Sequence, residues 1–561
     1  MNQRSVSRGA RRRRPSVWTL GGLLVAACVA APLLAVAYLA VVGSGEPGLW
    51  SHLAATVLPD YAATSLQLML GVAVGALILG VTCAWLIAQC RFPGRQVLAW
   101  ALLLPLAMPA YVLAYVYTDA LEYAGPVQTW LRAQFGWRSP QDYWFPEIRS
   151  LGGAVAMLSL TLYPYVYLLA RTAFQEQSAC LIDAGRTLGL SPWQSFLRIA
   201  LPMARPAIVV GLALVLMETL NDFGTVDFFA VPTFTLGIYD VWHNMNSSAG
   251  AAQIALVLLG LIVLLIVLER RGRHDQRYHA LTTRRRFTQA YCLSRRQTML
   301  AWFACLTPVL LGFLLPAVVL GGYALRFYPL TLQHGYWTIA GNSLTLAAAS
   351  ALAAVAIGLF LAYGMRLSSS GLFRSAARVA GVGYAIPGAV LAVGVMIPLA
   401  ALDNAMDALS ESMLGFNTGL LLSGTLVAVA YGYVIRFLAL PLGAVEAGLG
   451  RIKPSMDDAA RTLGIRPGKR LARIHFPLLR GSLLAAMLLV FVDGMKELPM
   501  TVALRPFNYD TLATFVYQYA SDEMLEESAF AALSIVAVGI LPVMMLSRAI
   551  SADRTRRESS G

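Results

Sequence analysis

Two short stretches place carboxylates where carboxylates are expensive. "METLNDFGTVDFF" carries Glu218 and Asp222, and "VDGMKELPMT" carries Asp493 and Glu497. Each pair is four residues apart, which puts both acids on one face if the stretch is a helix. Both stretches lie in strongly apolar surroundings. A carboxylate in hydrocarbon costs about 2.5–3.5 kcal/mol or more, so it faces a cavity or a partner. Four oxygen donors suit a hard cation, and a transit site must also release what it binds. Lys496 supplies the competing reading, a structural ion pair with one of these acids.

The rest of the chain says what positions them. It has 561 residues, of which 58% are hydrophobic and 13% charged, with a mean hydropathy of +0.64. A soluble globule lacks enough polar cover for that composition, so lipid is the expected solvent. About 20 apolar residues span a bilayer core, and twelve stretches qualify: 17–43, 65–90, 96–118, 152–173, 207–230, 250–269, 299–322, 343–366, 376–402, 417–440, 482–504 and 530–549. Alternating the loops places 37 of the 43 Lys and Arg on one side. The positive-inside rule then predicts both termini in the cytoplasm. The "RRRR" run at 11–14 and the apolar stretch after it resemble a signal peptide. That stretch is too long for one, and is read as the first span. Six cysteines show no metal spacing, and no disulfide is expected. The net charge of +14 does not imply nucleic acid, because no recognition fold surrounds the basic linker at 270–298.

The chain repeats itself. "DAGRTLGLSPWQSFLRIALPMARP" (183–206) and "DAARTLGIRPGKRLARIHFPLLRG" (458–481) match at eleven of 24 positions. Pro109 and Pro387 also correspond, as do "TSL" at 64–66 and "NSL" at 342–344. The predicted organisation is a basic tail (1–16), a six-span half (17–269), a basic linker (270–298), a second six-span half (299–549) and a tail (550–561). An even span count per half makes the halves parallel, related by an axis along the membrane normal. The acids of both halves then point toward that axis.

Each copy of the repeat reads as two short helices joined by an elbow, on the cytoplasmic side at about 174–206 and 447–481. Gly189 and Gly464 end the first helix in the left-handed conformation that favours glycine. Ser191 caps the next helix, Pro192 suits its first turn, and Pro202 or Pro477 closes it before the following span. Such an element can sit in a groove of another protein and pass on a push.

At these residues the chain resembles permease subunits of bacterial binding-protein-dependent ABC importers, whose coupling loop reads E-A-A-x-x-x-G with a proline 13 residues later. Asp183, Ala184, Gly185, Gly189 and Pro202 fill that pattern in the first half. Asp458, Ala459, Ala460, Gly464 and Pro477 fill it in the second. Asp replaces Glu in both, and Gly185 replaces the second Ala. The resemblance implies an all-α integral membrane fold of type I importer permeases, with twelve helices in two parallel repeats. It implies docking of two cytosolic ABC ATPase subunits on the elbows. No G-x-x-x-x-G-K-[ST] occurs here, so ATP and Mg are expected on those partners, with no cofactor and no catalytic residue on this chain. The six-plus-six fusion and the stretches 218–239 and 496–514 resemble ferric-iron permeases. That implies a periplasmic ferric-binding protein docking near 119–151 and 505–529, and an inner-membrane location. Thiamine or another small cation carried by the same machinery is the alternative. A twelve-span secondary transporter is a further one, against which the two elbows stand.

Overall fold

The computed structural model describes residues 17–43, 48–177, 185, 187–274, 291–368 and 370–558. The described residues are all-α apart from one two-residue parallel pair, Cys90–Arg91 with Tyr291–Cys292. Among the described residues, ten helices are long and apolar enough to cross a membrane. Counting each of two bent pairs, Arg95–Ala107 with Ala110–Phe135 and Leu426–Phe437 with Ala439–Gly450, as one span brings the count to twelve. The first bend, 89°, falls at Pro109. Proline has no N–H to continue a helix and its ring crowds the preceding turn, so the chain turns there.

Proline also moves a predicted boundary. The ninth span was expected to begin at 376, yet its helix is Gly388–Leu414, preceded by the extended Pro387. Gly371–Ala380 is a separate helix before it.

The halves interlock. One core forms around Tyr115, Tyr163 and Tyr167 of the first half, and residues of Arg295–Gln333 and Leu525–Met545 pack into it. The other forms around Phe373 and Tyr433 of the second half, joined by residues of Trp18–Val42 and Ser248–Leu268. Close approach needs small residues, as in membrane packing generally. A Cβ on Gly394 would lie 2.6 Å from the carbonyl oxygen of Pro32, and one on Gly539 would lie 2.7 Å from that of Ala107. Each half is therefore clasped by the outer helices of the other, and the repeats meet at the centre.

Candidate functional site

Both acid-bearing helices stop between their acids, which corrects the expectation of two continuous spans over 207–230 and 482–504. The first helix, Leu201–Asn221, ends with Asp222 extended, and the second, Phe476–Met495, ends at Lys496. Glu218 and Asp493 remain on the helices. Asp222 and Glu497 lie beyond the breaks and bond forward into the next turn. Asp222 accepts the N–H groups of Thr225 and Val226, each at 3.1 Å, and the Thr225 hydroxyl at 3.0 Å. Glu497 accepts the N–H groups of Met500 (3.2 Å) and Thr501 (3.1 Å) and the Thr501 hydroxyl (3.0 Å). These carboxylates satisfy the free N–H groups of the short helices Gly224–Phe228 and Pro499–Leu504, groups that would otherwise be buried unpaired. Side-chain bonding of this kind competes with helix continuation, which is why the break follows the acid.

The two breaks face each other across a cavity of about 140 Å³. Its walls come from matched positions of the repeat: Glu218 and Asp493, Asn221 and Lys496, Asp222 and Glu497, Thr161 and Arg436. All four predicted acids are thus brought to one cavity, but they are not equivalent. Lys496 Nζ is 3.1 Å from Asp493 Oδ1, and Arg436 Nη1 is 2.9 Å from Glu497 Oε1. Asp222 is held by the first turn of its helix. Glu218 makes no ion pair among the described residues; it accepts a hydrogen bond from the Tyr384 hydroxyl at 3.2 Å. Asn221 Oδ1 accepts the Gly388 N–H at 2.8 Å, tying the break in one half to the other half. No group of three or more His, Cys, Asp or Glu side chains is arranged to hold a metal ion among the described residues. The four acids therefore line a cavity without forming a metal-binding cluster, because three of them are engaged by structural partners.

Arg436, Tyr165 and Tyr384 are cavity residues that the sequence reading did not single out. Arg436 had a signal, since it is the sole charge in the apolar run 426–442. Its guanidinium leaves no room at Gly388, where a Cβ would lie 2.5 Å from Arg436 Nη1 and 2.9 Å from Glu497 Oε1. Gly388→Ala is expected to cost about 1–3 kcal/mol by overpacking, measured as a lower thermal midpoint in detergent, although the matching position of the first half is already Ala110.

Gly189 and Gly464 are left-handed, with φ of 78° and 68°. The N–H of Leu190 reaches the carbonyl of Gly185, and that of Ile465 reaches Ala460, each at 3.0 Å, the closing pattern of a glycine-ended helix. Ser191 caps the following helix in a reciprocal pair with Gln194, as expected. Gly185 has a packing reason, because a Cβ there would lie 2.7 Å from Ile199 Cδ1. Asp183 and Ala184 lie outside the described residues. In the second copy Ala459 is exposed and Ala460 buried. The Asp458 side chain is 69% exposed, with Arg461 beside it at 3.5 Å.

Pro202 and Pro477 do not close the elbow helices, contrary to expectation. Pro192–Asn221 and Pro467–Met495 run through as single helices. In each, a five-residue π turn, Phe196–Ala200 or Leu471–His475, immediately precedes the turn containing the proline. The wider turn accommodates a residue that has no N–H and a bulky ring. Each elbow is consequently continuous with the helix that carries Glu218 or Asp493.

Arg149 bonds to Glu122 and, at 3.3 Å, to Glu523, so the loops expected to dock a partner are joined to each other. Arg505 pairs with Asp510.

Comparison with known proteins agrees with these features. Residues 76–272 match the family described as the binding-protein-dependent transport system inner membrane component. The chain is 24% identical to an Fe(3+)-transport system permease protein of Haemophilus influenzae, over 96% of this chain and 99% of that one. It is 28% identical to the molybdenum transport system permease protein of Escherichia coli, over 34% of this chain and 82% of that one. It is 33% identical to the Escherichia coli sulfate transport system permease protein, over 27% and 52%.

Proposed function

Since this chain is a permease component of a binding-protein-dependent ABC importer, we propose that its cargo is iron(III), passed through the cavity between its halves. The observation that carries this reading is the charge of the cavity. Four acids face two bases there, and both bases are already paired with acids. Such a lining attracts a cation and repels molybdate or sulfate. Glu218, with the hydroxyl of Tyr384, offers hard oxygen to a hard ion. The full-length similarity to an Fe(3+) permease supports the same cargo. Aromatic rings at Tyr111, Tyr165, Tyr384 and Phe437 line the cavity as well, and they favour thiamine or another organic cation as the second reading.

In this reading both termini and both elbows are cytoplasmic, and two copies of a separate ATPase subunit, which hold ATP and Mg, dock on the elbows. A periplasmic ferric-binding protein docks on the opposite face, around 119–151 and 505–529. Closure of the ATPases pushes the elbows, and the continuous helices carry that motion to Glu218 and Asp493. The chain itself supplies no ATPase chemistry.

Radiolabelled iron(III), thiamine, molybdate and sulfate are the test, offered in turn to cells lacking this chain and to cells with it restored. Restoration is expected to rescue iron uptake alone. Rescue of an oxyanion would overturn the assignment, and rescue of thiamine would replace it with the second reading. Charge reversal at Asp183 and Asp458 together is expected to uncouple hydrolysis from uptake while leaving thermal stability intact. An exposed pair such as Asp458 with Arg461 contributes little to folding, so a large loss of stability would contradict a docking role.

A further inference from the structure

The second elbow carries a buried charged assembly that its sequence motif does not contain. Asp457, next to the exposed Asp458, points into the protein and is 8% exposed. Arg366 Nε donates to Asp457 Oδ2 at 2.7 Å. Arg470 Nη1 lies 3.3 Å from Oδ1, and His475 Nε2 lies 3.0 Å from the same atom. Arg366 also donates to the carbonyls of Leu449 and, at 2.9 Å, Ile452. These carbonyls lie at and just past the end of Ala439–Gly450, where a cation is favoured. The Tyr363 hydroxyl bonds the carbonyl of Pro467 at 2.8 Å. One carboxylate thereby joins four elements: the elbow helix Pro454–Thr462, the end of Tyr336–Leu367, the end of Ala439–Gly450 and the start of the helix that reaches Asp493. Burial raises the Asp457 carboxyl, but the guanidinium of Arg366, then Arg470 and His475, outweigh it and hold it below the usual carboxylate range.

Among the described residues the first half has no equivalent. By the repeat, Arg366, Asp457, Arg470 and His475 correspond to Ala88, Ile182, Ser195 and Ala200. The described residues there form an aromatic plug, with Trp85 against Phe174 (5.5 Å) and Phe196 (5.0 Å), and two neutral hydrogen bonds to carbonyls, Gln89 to Phe174 and Gln177 to Ala200, each at 2.8 Å. Ring packing is non-directional and tolerates sliding. A forked guanidinium on a carboxylate fixes orientation as well as distance.

We propose that Asp457 is a positioning residue that makes the second elbow the stiff input of the pair. Motion entering at the Asp458 face passes through Asp457 and Arg366 to Tyr336–Leu367 as well as along its own helix. The first elbow drives chiefly its own helix and slides on the plug. This rests on reading the elbows as ATPase docks.

The test uses the complete transporter in proteoliposomes, with ATP hydrolysed per iron(III) delivered as the readout. Asp457→Asn is expected to raise that ratio roughly five-fold, within the range by which residues along a coupling route act, with substrate-stimulated hydrolysis largely retained. Trp85→Phe is expected to raise it less than about two-fold. If Asp457→Asn does not assemble, Arg366→Lys, which keeps the charge but loses the fork, is read instead and is expected to give the same direction of change. An unchanged ratio, or hydrolysis and delivery falling together, overturns the proposal. An equal rise from Trp85→Phe overturns it too. If the unaltered transporter shows no iron-stimulated hydrolysis at all, the iron(III) cargo falls, and the same ratio read with thiamine decides the inference on the same terms.

Discussion

Glu218→Gln is expected to slow iron(III) uptake roughly ten-fold or more while leaving the protein as stable as before, or more so. The reason is the unequal state of the four acids. Asp493 and Glu497 are neutralised by Lys496 and Arg436, and Asp222 is spent on the first turn of its helix. Among the described residues, Glu218 alone of the four is engaged neither by a cation of the chain nor by a helix turn. Coulomb attraction scales with both charges, so each carboxylate counts threefold toward a trivalent ion. Removing an uncompensated intramembrane charge removes a folding cost. Uptake at constant expression and the thermal midpoint in detergent check the two halves of this expectation. Normal uptake by the Gln variant would make Glu218 a packing residue.

Arg436→Met is expected to have the largest effect on stability, a loss of about 3–5 kcal/mol. Removing one member of a buried ion pair strands the other charge, and Glu497 is 5% exposed. Part of the loss should return in Arg436→Met with Glu497→Gln. The stranded charge is then gone, but Glu497 now holds the N–H groups of Met500 and Thr501 on separate oxygens, and an amide has one oxygen to accept with, so one of those bonds is lost. Unfolding in mixed detergent measures both variants. A single variant as stable as the parent would remove Arg436 from the framework of the cavity.

Much of this architecture is legible in the residues, and the exceptions have physical causes. The repeat gave away the elbows, because Gly189 and Gly464 occupy backbone that favours glycine. The acids of the two halves announced themselves as charges in apolar runs. The helix breaks did not show. Hydropathy continues past Asn221 and Met495, and only the forward hydrogen bonds of Asp222 and Glu497 reveal that the helix has stopped. Pro202 and Pro477 looked like terminators, since a π turn leaves no pattern in sequence. Asp457 stood beside a motif residue and was overlooked. Its partners Arg366 and Arg470 are 91 and 13 residues away, and folding alone brings them to it.

The account rests on a foreign ATPase driving cargo through an acid-lined cavity between the halves. Proteoliposomes containing this chain, its ATPase subunits and its binding protein measure that directly. Iron(III) accumulation is expected to require ATP on the elbow side and to be indifferent to an imposed proton or sodium gradient. Accumulation that follows the gradient and persists without the ATPase would contradict it.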